Sequence, residues 1–126
     1  MNLLELGVVA KNTAKKAGKF LLTQKSEEKL ITSEKGRDIK LELDRKTEEL
    51  IRKELAVSKI QVQGEEIVSK IDQKLRWVVD PIDGTANYFR GLNQCCVSIA
   101  LMNEHECQIG VIYDFNSDEL SLIHIS

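Results

Sequence analysis

Between residues 3 and 22 the apolar side chains Leu3, Leu6, Val9 or Ala10, Ala14, Ala17 and Leu21 return every three or four positions. That period predicts an amphipathic helix with one buried face. Lys11, Lys15, Lys16 and Lys19 fill much of the other side, which reads as a solvated flank in preference to an anion-binding surface. Residues 23–38 are polar, include Gly36 and read as a loop. Ile39, Leu41 and Leu43 then alternate with Lys40 and Glu42, the period of a strand with one buried face. Asp44 ends that strand, just before the helical composition of residues 45–51. Its carboxylate is placed to cap the helix start, worth about 1 kcal/mol, and a catalytic role can coexist with the cap.

The pattern weakens over residues 56–63, where Ile60 and Val62 suggest a short strand leading to Gly64-Glu65-Glu66. A glycine followed by paired acids is ordinary turn composition. The charged residues 67–76 give way to Trp77-Val78-Val79, an apolar run suited to a buried strand, with Trp77 as a core anchor. Pro81 has no amide to give to a ladder and holds Asp80 away from helix, so the strand is expected to stop there. Asp83 and Gly84 supply a turn, and a helical turn can begin at Thr85.

With 126 residues and 42% apolar content, the chain can bury the core of one small domain. Its net charge of -2, with acids and bases mixed throughout, offers no broad positive surface, so nucleic acid is not the default partner. No run approaches the roughly 20 apolar residues of a membrane span, and the first residues lack the layout of a signal peptide. A cytoplasmic setting without a membrane partner is the expectation. Cys95, Cys96 and Cys107 have no zinc-like spacing and read as free thiols, buried in preference to reactive.

Chemistry concentrates in residues 77–85. An N-cap role accounts for Asp83 but leaves Asp80 unexplained at the end of an apolar strand. Two close carboxylates repel and lose hydration unless protons or cations intervene. Magnesium favours carboxylate and carbonyl oxygens, so Asp80, Asp83 and the Ile82 carbonyl are chemically suitable ligands. Amides of Gly84 and Thr85 at a helix start would face a phosphate, and the Thr85 hydroxyl can orient a water. An acidic structural turn remains the rival reading of this short pattern.

Asp80-Pro81-Ile82-Asp83-Gly84-Thr85-Ala86-Asn87 resembles the DPIDGT-type signature of the inositol monophosphatase family, and Gly64-Glu65-Glu66 resembles its other metal-binding segment. In the same order, residues 38–44 resemble the family strand that ends in an active-site aspartate. Gly91 with Val97-Ser98-Ile99-Ala100, and then Gly110-Val111-Ile112-Tyr113, resemble the next two strands. The resemblance implies a layered α-β-α-β-α fold and a magnesium-dependent phosphomonoesterase acting on inositol monophosphate or a related sugar phosphate. Glu65, Asp80, Asp83 and the Ile82 carbonyl would hold Mg2+. Asp44 would hold Thr85, which with Glu65 positions the attacking water, while Gly84 and Thr85 meet the substrate phosphate. Lys35 resembles the family's loop lysine, with Lys29 and Lys40 as rivals. Leu41 and Arg90 depart from the threonine and histidine usual in the family at those places.

The resemblance also implies members about twice this size, whose C-terminal half brings a further aspartate ligand and most substrate-selecting residues. Residues 1–126 are then expected to be the N-terminal metal-binding portion, weakly active or inactive alone and prone to aggregate through an open sheet edge. His124 reads as a strand residue near that edge, not as a catalytic base. A homodimer stays open for the full-length form. Two other readings stay open as well: a phosphatase for 3′-phosphoadenosine nucleotides or fructose bisphosphate, and a noncatalytic structural or interaction domain.

Overall fold

In the computed structural model, which describes residues 1–27, 33–65, 70–83 and 95–124, the chain opens with helix α1 (Leu3–Glu27). Its start is fixed by a reciprocal cap: Glu5 N donates to Asn2 Oδ1 at 2.8 Å, and Asn2 N donates to Glu5 Oε1 at 3.4 Å. Leu6, Ala10, Thr13, Ala14, Ala17 and Leu21 form the buried stripe that the sequence period predicts. Small side chains on this stripe let α1 approach the sheet closely. The approach is tightest at Gly18, where a Cβ would overlap the Tyr113 ring and lie 2.8 Å from Phe115 Cβ.

The second helix, α2 (Ser33–Leu55), replaces both the loop and the strand expected before Asp44. Residues 23–27 extend α1 and residues 33–38 already belong to α2; residues 28–32 lie outside the described set. Lys35, expected in the loop, and Lys40, expected on the strand, therefore both stand on a helix. The physical reason lies downstream. Leu43, Thr47, Ile51 and Leu55 are all buried at helical spacing, and Asp44 and Glu48 flank them on the same face. Three alternating apolar residues are too few to outweigh that stripe together with a segment rich in Leu, Glu, Lys and Arg. Asp44 is consequently an interior helix residue, and the capping role predicted for it is ruled out.

A short 3-10 turn (Ala56–Ser58) leads into the sheet. The sheet has five strands: β1 (Gln61–Gln63), β2 (Leu75–Asp83), β3 (Cys96–Asn103), β4 (Glu106–Asp114) and β5 (Glu119–His124). They lie side by side in chain order, β1 parallel to β2 and every later neighbour antiparallel. Val97, Ile99 and Leu101 of β3 and Ile109, Val111 and Tyr113 of β4 are buried with the helix stripes in one core, while Cys96, Ser98 and Ala100 alternate to the other side. Trp77 is wholly buried in that core, as expected. This is the layered α/β arrangement read from the sequence.

Pro81 does not end β2. The strand runs on to Asp83 through a register shift: Asp80 pairs with Ser98 and Asp83 with Cys96, so Pro81 and Ile82 together oppose one residue of β3. A bulge accommodates a residue that cannot donate to the ladder. Both Pro81 and Ile82 are buried. At the far edge, β5 carries His124, whose ring packs over Gly7 of α1; a Cβ there would lie 2.9 Å from Nε2. Cys95, Cys96 and Cys107 are free, with Cys95 buried and the others half-buried.

Candidate metal and phosphate site

The parallel pairing of β1 with β2 aligns the acids that the sequence singles out. Gln63 pairs with Val78, the last matched positions of the two strands. Two residues further along each chain come Glu65, just past the end of β1, and Asp80, inside β2, both towards the C-terminal end of these neighbouring parallel strands. That end of an open α/β sheet is where ligands commonly bind. Glu65 is exposed and Asp80 half-buried. The bulge then brings position 83 into register with Cys96, after position 80 in register with Ser98. Ile82 is only 4% exposed, with its side chain in the core, so any ligand role for it rests on its carbonyl.

Asp44 is buried on α2, a position suited to holding another group in place and poorly suited to general acid–base exchange with solvent. One turn later comes a residue that sequence reading missed. Glu48 is fully buried, and its Oε2 receives Arg52 Nε at 3.2 Å. The rest of its carboxylate lies against Gly64, the residue before Glu65, so closely that a Cβ at Gly64 would overlap it. A signal existed in the sequence: Asp44 and Glu48 are four residues apart, hence on one face once the segment is helical.

The Asp83 side chain, Glu66, Gly84, Thr85 and Arg90 lie outside the described residues, and so does the predicted pairing of Asp44 with Thr85. Among the described residues, no three acidic, histidine or cysteine side chains form a group that could hold a metal. The described donors at the strand ends, Glu65 and Asp80, offer hard carboxylate oxygens, the type Mg2+ takes. A separate hollow of about 380 Å³ between the helices is lined by Asn12, Lys15, Lys16, Lys19, Glu54 and Val57 among others, and by none of the predicted site residues. There Lys16 Nζ lies 3.1 Å from Glu54 Oε2, consistent with a solvated flank. Among the described residues no helix is long and apolar enough to cross a membrane.

Residues 2–122 match the sequence profile of the inositol monophosphatase family. The chain belongs to that family. Within it, the chain is 39% identical over 111 residues to the Nus factor SuhB of Xylella fastidiosa, covering 85% of this chain and 40% of that protein. It is 38% identical over 112 residues to an inositol-1-monophosphatase of Rhizobium meliloti, covering 83% and 42%. Among solved structures, inositol monophosphatase II of Staphylococcus aureus superposes with a TM-score of 0.81 at 27% identity, covering 98% of this chain and 47% of that one. The chain thus spans about two fifths of the length of the Xylella and Rhizobium relatives.

Proposed function

We propose that this chain is the N-terminal metal-binding portion of a magnesium-dependent phosphomonoesterase that hydrolyses inositol monophosphate or a related sugar phosphate. The observation that carries the reading is the placement of Glu65 and Asp80 at matching positions beyond the paired ends of β1 and β2, in a chain of the inositol monophosphatase family. Glu65, Asp80, Asp83 and the Ile82 carbonyl would hold Mg2+. When bound, the ion lowers the pKa of water and neutralises phosphoryl charge. Glu65 accepts a hydrogen bond from the attacking water, and Thr85, held by Asp44, orients that water towards phosphorus. The amides of Gly84 and Thr85 bind the phosphate oxygens. The leaving alcohol takes its proton from solvent, and no phospho-enzyme forms.

The test is a substrate panel on the complete gene product, run with Mg2+ and after chelation, beside residues 1–126 alone. Hydrolysis of inositol monophosphate that disappears on chelation and is weak or absent in residues 1–126 is the expected result. A strong preference for a 3′-phosphoadenosine nucleotide or for fructose bisphosphate would sink the inositol assignment. A noncatalytic interaction role has one specific support, the similarity to a protein named as a Nus factor; it predicts no Mg2+-dependent hydrolysis of any ester.

A further inference from the structure

A buried carboxylate that the proposed chemistry does not use invites a reason for its position. Glu48 has no exposed surface, and an acid so placed is unfavourable unless its charge is met. Arg52, one turn on and 22% exposed, meets one oxygen at 3.2 Å. Both oxygens crowd the place that a Cβ of Gly64 would take, Oε1 the more closely. Gly64 lies between the last residue of β1 and Glu65, so the contact falls on the peptide segment that carries the proposed ligand. The Gly64 backbone is not left-handed, and the glycine is required for space: any side chain would displace the Glu48 carboxylate.

We propose that Glu48 is a positioning residue: through Gly64 its buried carboxylate fixes the turn after β1 and thereby sets the place of the Glu65 carboxylate for metal binding. The proposal rests on Glu65 being a metal ligand. Arg52 holds Glu48 in one geometry, so the helix carries the constraint and the loop need not supply it. Residues that orient ligands from behind commonly change metal affinity by about 10–100-fold when altered.

The complete gene product and its Glu48→Gln variant would be compared by Mn2+ titration using electron paramagnetic resonance, by hydrogen exchange over residues 61–66 without metal, and by thermal melting. Expected for Glu48→Gln are Mn2+ binding weaker by about 10-fold, a matching rise in the Mg2+ needed for half-maximal turnover, little change in kcat at saturating Mg2+, and faster exchange at 61–66. Unchanged Mn2+ affinity and exchange in Glu48→Gln, with Mn2+ binding weakened by Glu65→Gln, overturns the positioning role and leaves the ligand assignment standing. No effect of Glu65→Gln on Mn2+ overturns both. If Glu48→Gln does not fold, Gly64→Ala displaces the same carboxylate from the other side and is held to the same outcomes.

Discussion

Trp77 donates its indole Nε1–H to Ser58 Oγ at 2.9 Å, linking the first part of β2 to the turn that joins α2 to the sheet. Ser58 in turn donates to Leu55 O at 2.6 Å and accepts from Ile60 N at 3.3 Å. The ring is therefore both core filler and a polar tie. Trp77→Ala is expected to destabilise by about 3–5 kcal/mol through the cavity it leaves. Trp77→Phe keeps much of the volume but loses the hydrogen bond, so its loss should be smaller, about 1–2 kcal/mol. Urea denaturation measures both, and an unchanged midpoint in Trp77→Ala would contradict the core assignment.

Asp80→Asn and Asp83→Asn remove the charge of two proposed ligands with little change of volume. In the complete gene product each should reduce Mg2+-dependent turnover by at least about 100-fold. Melting should stay within about 1 kcal/mol of the parent for Asp80→Asn, whose site is half-buried. Full turnover in Asp83→Asn at limiting Mg2+ would remove it from the ligand set.

Gly18 sets two effects against each other. Alanine is the better helix former by about 1 kcal/mol in a helix interior. Here, however, the added methyl meets the Tyr113 ring and the Phe115 Cβ, groups that are themselves buried in the core. Overpacking of that kind typically costs about 1–3 kcal/mol, so Gly18→Ala is expected to lower stability despite the gain in propensity. A higher melting temperature would show that α1 can lift from β4 freely.

Tyr113 supplies a pH signature. Burial pushes its phenol up from 10.0 to about 12, helped by its hydrogen bond to Asp118 Oδ1 at 2.6 Å and by the charges of Asp118 and Asp114. The folded chain thus keeps a proton that the unfolded chain releases near pH 10. The resulting stability is complete below about pH 10 and is lost as pH rises through about 12. Denaturation curves across that range should show the decline, and Tyr113→Phe should abolish this component. A phenol at residue 113 that ionises near pH 10 by ultraviolet absorbance would contradict the burial and pairing described.

Hydrophobic spacing revealed α1 because its buried stripe is made of apolar residues, with Thr13 alone among them polar. The same reading failed on α2 because two buried positions on its inner face are acids, Asp44 and Glu48, and a count of apolar residues passes over them. With those positions scored as surface, Ile39, Leu41 and Leu43 were left to suggest a strand. Asp80 is legible as chemistry from residue type, Glu65 only through the family resemblance, and the sheet register carries both towards the same end of β1 and β2. Glu48 is legible only through its four-residue spacing from Asp44, a signal that appears once the segment is read as helix; composition does not separate it from the exposed Glu49 beside it. Its role emerges only when Gly64 is brought against it by the fold.

The irregularity in β2 bears on how acidic motifs are read in general. In an undisturbed strand, odd and even positions point to opposite sides, so residues 80 and 83 would straddle the sheet. The bulge inserts one count between them, so that Asp80 pairs with Ser98 and Asp83 with Cys96, two positions of like parity on β3. Pro81 is what makes the miscount tolerable, because the position it occupies asks for no amide. Sequence distance along a strand is therefore not a measure of which backbone positions fall in step. A substitution that straightened residues 80–83 would change the partner of Asp83 on β3 while leaving every residue of the motif in the sequence.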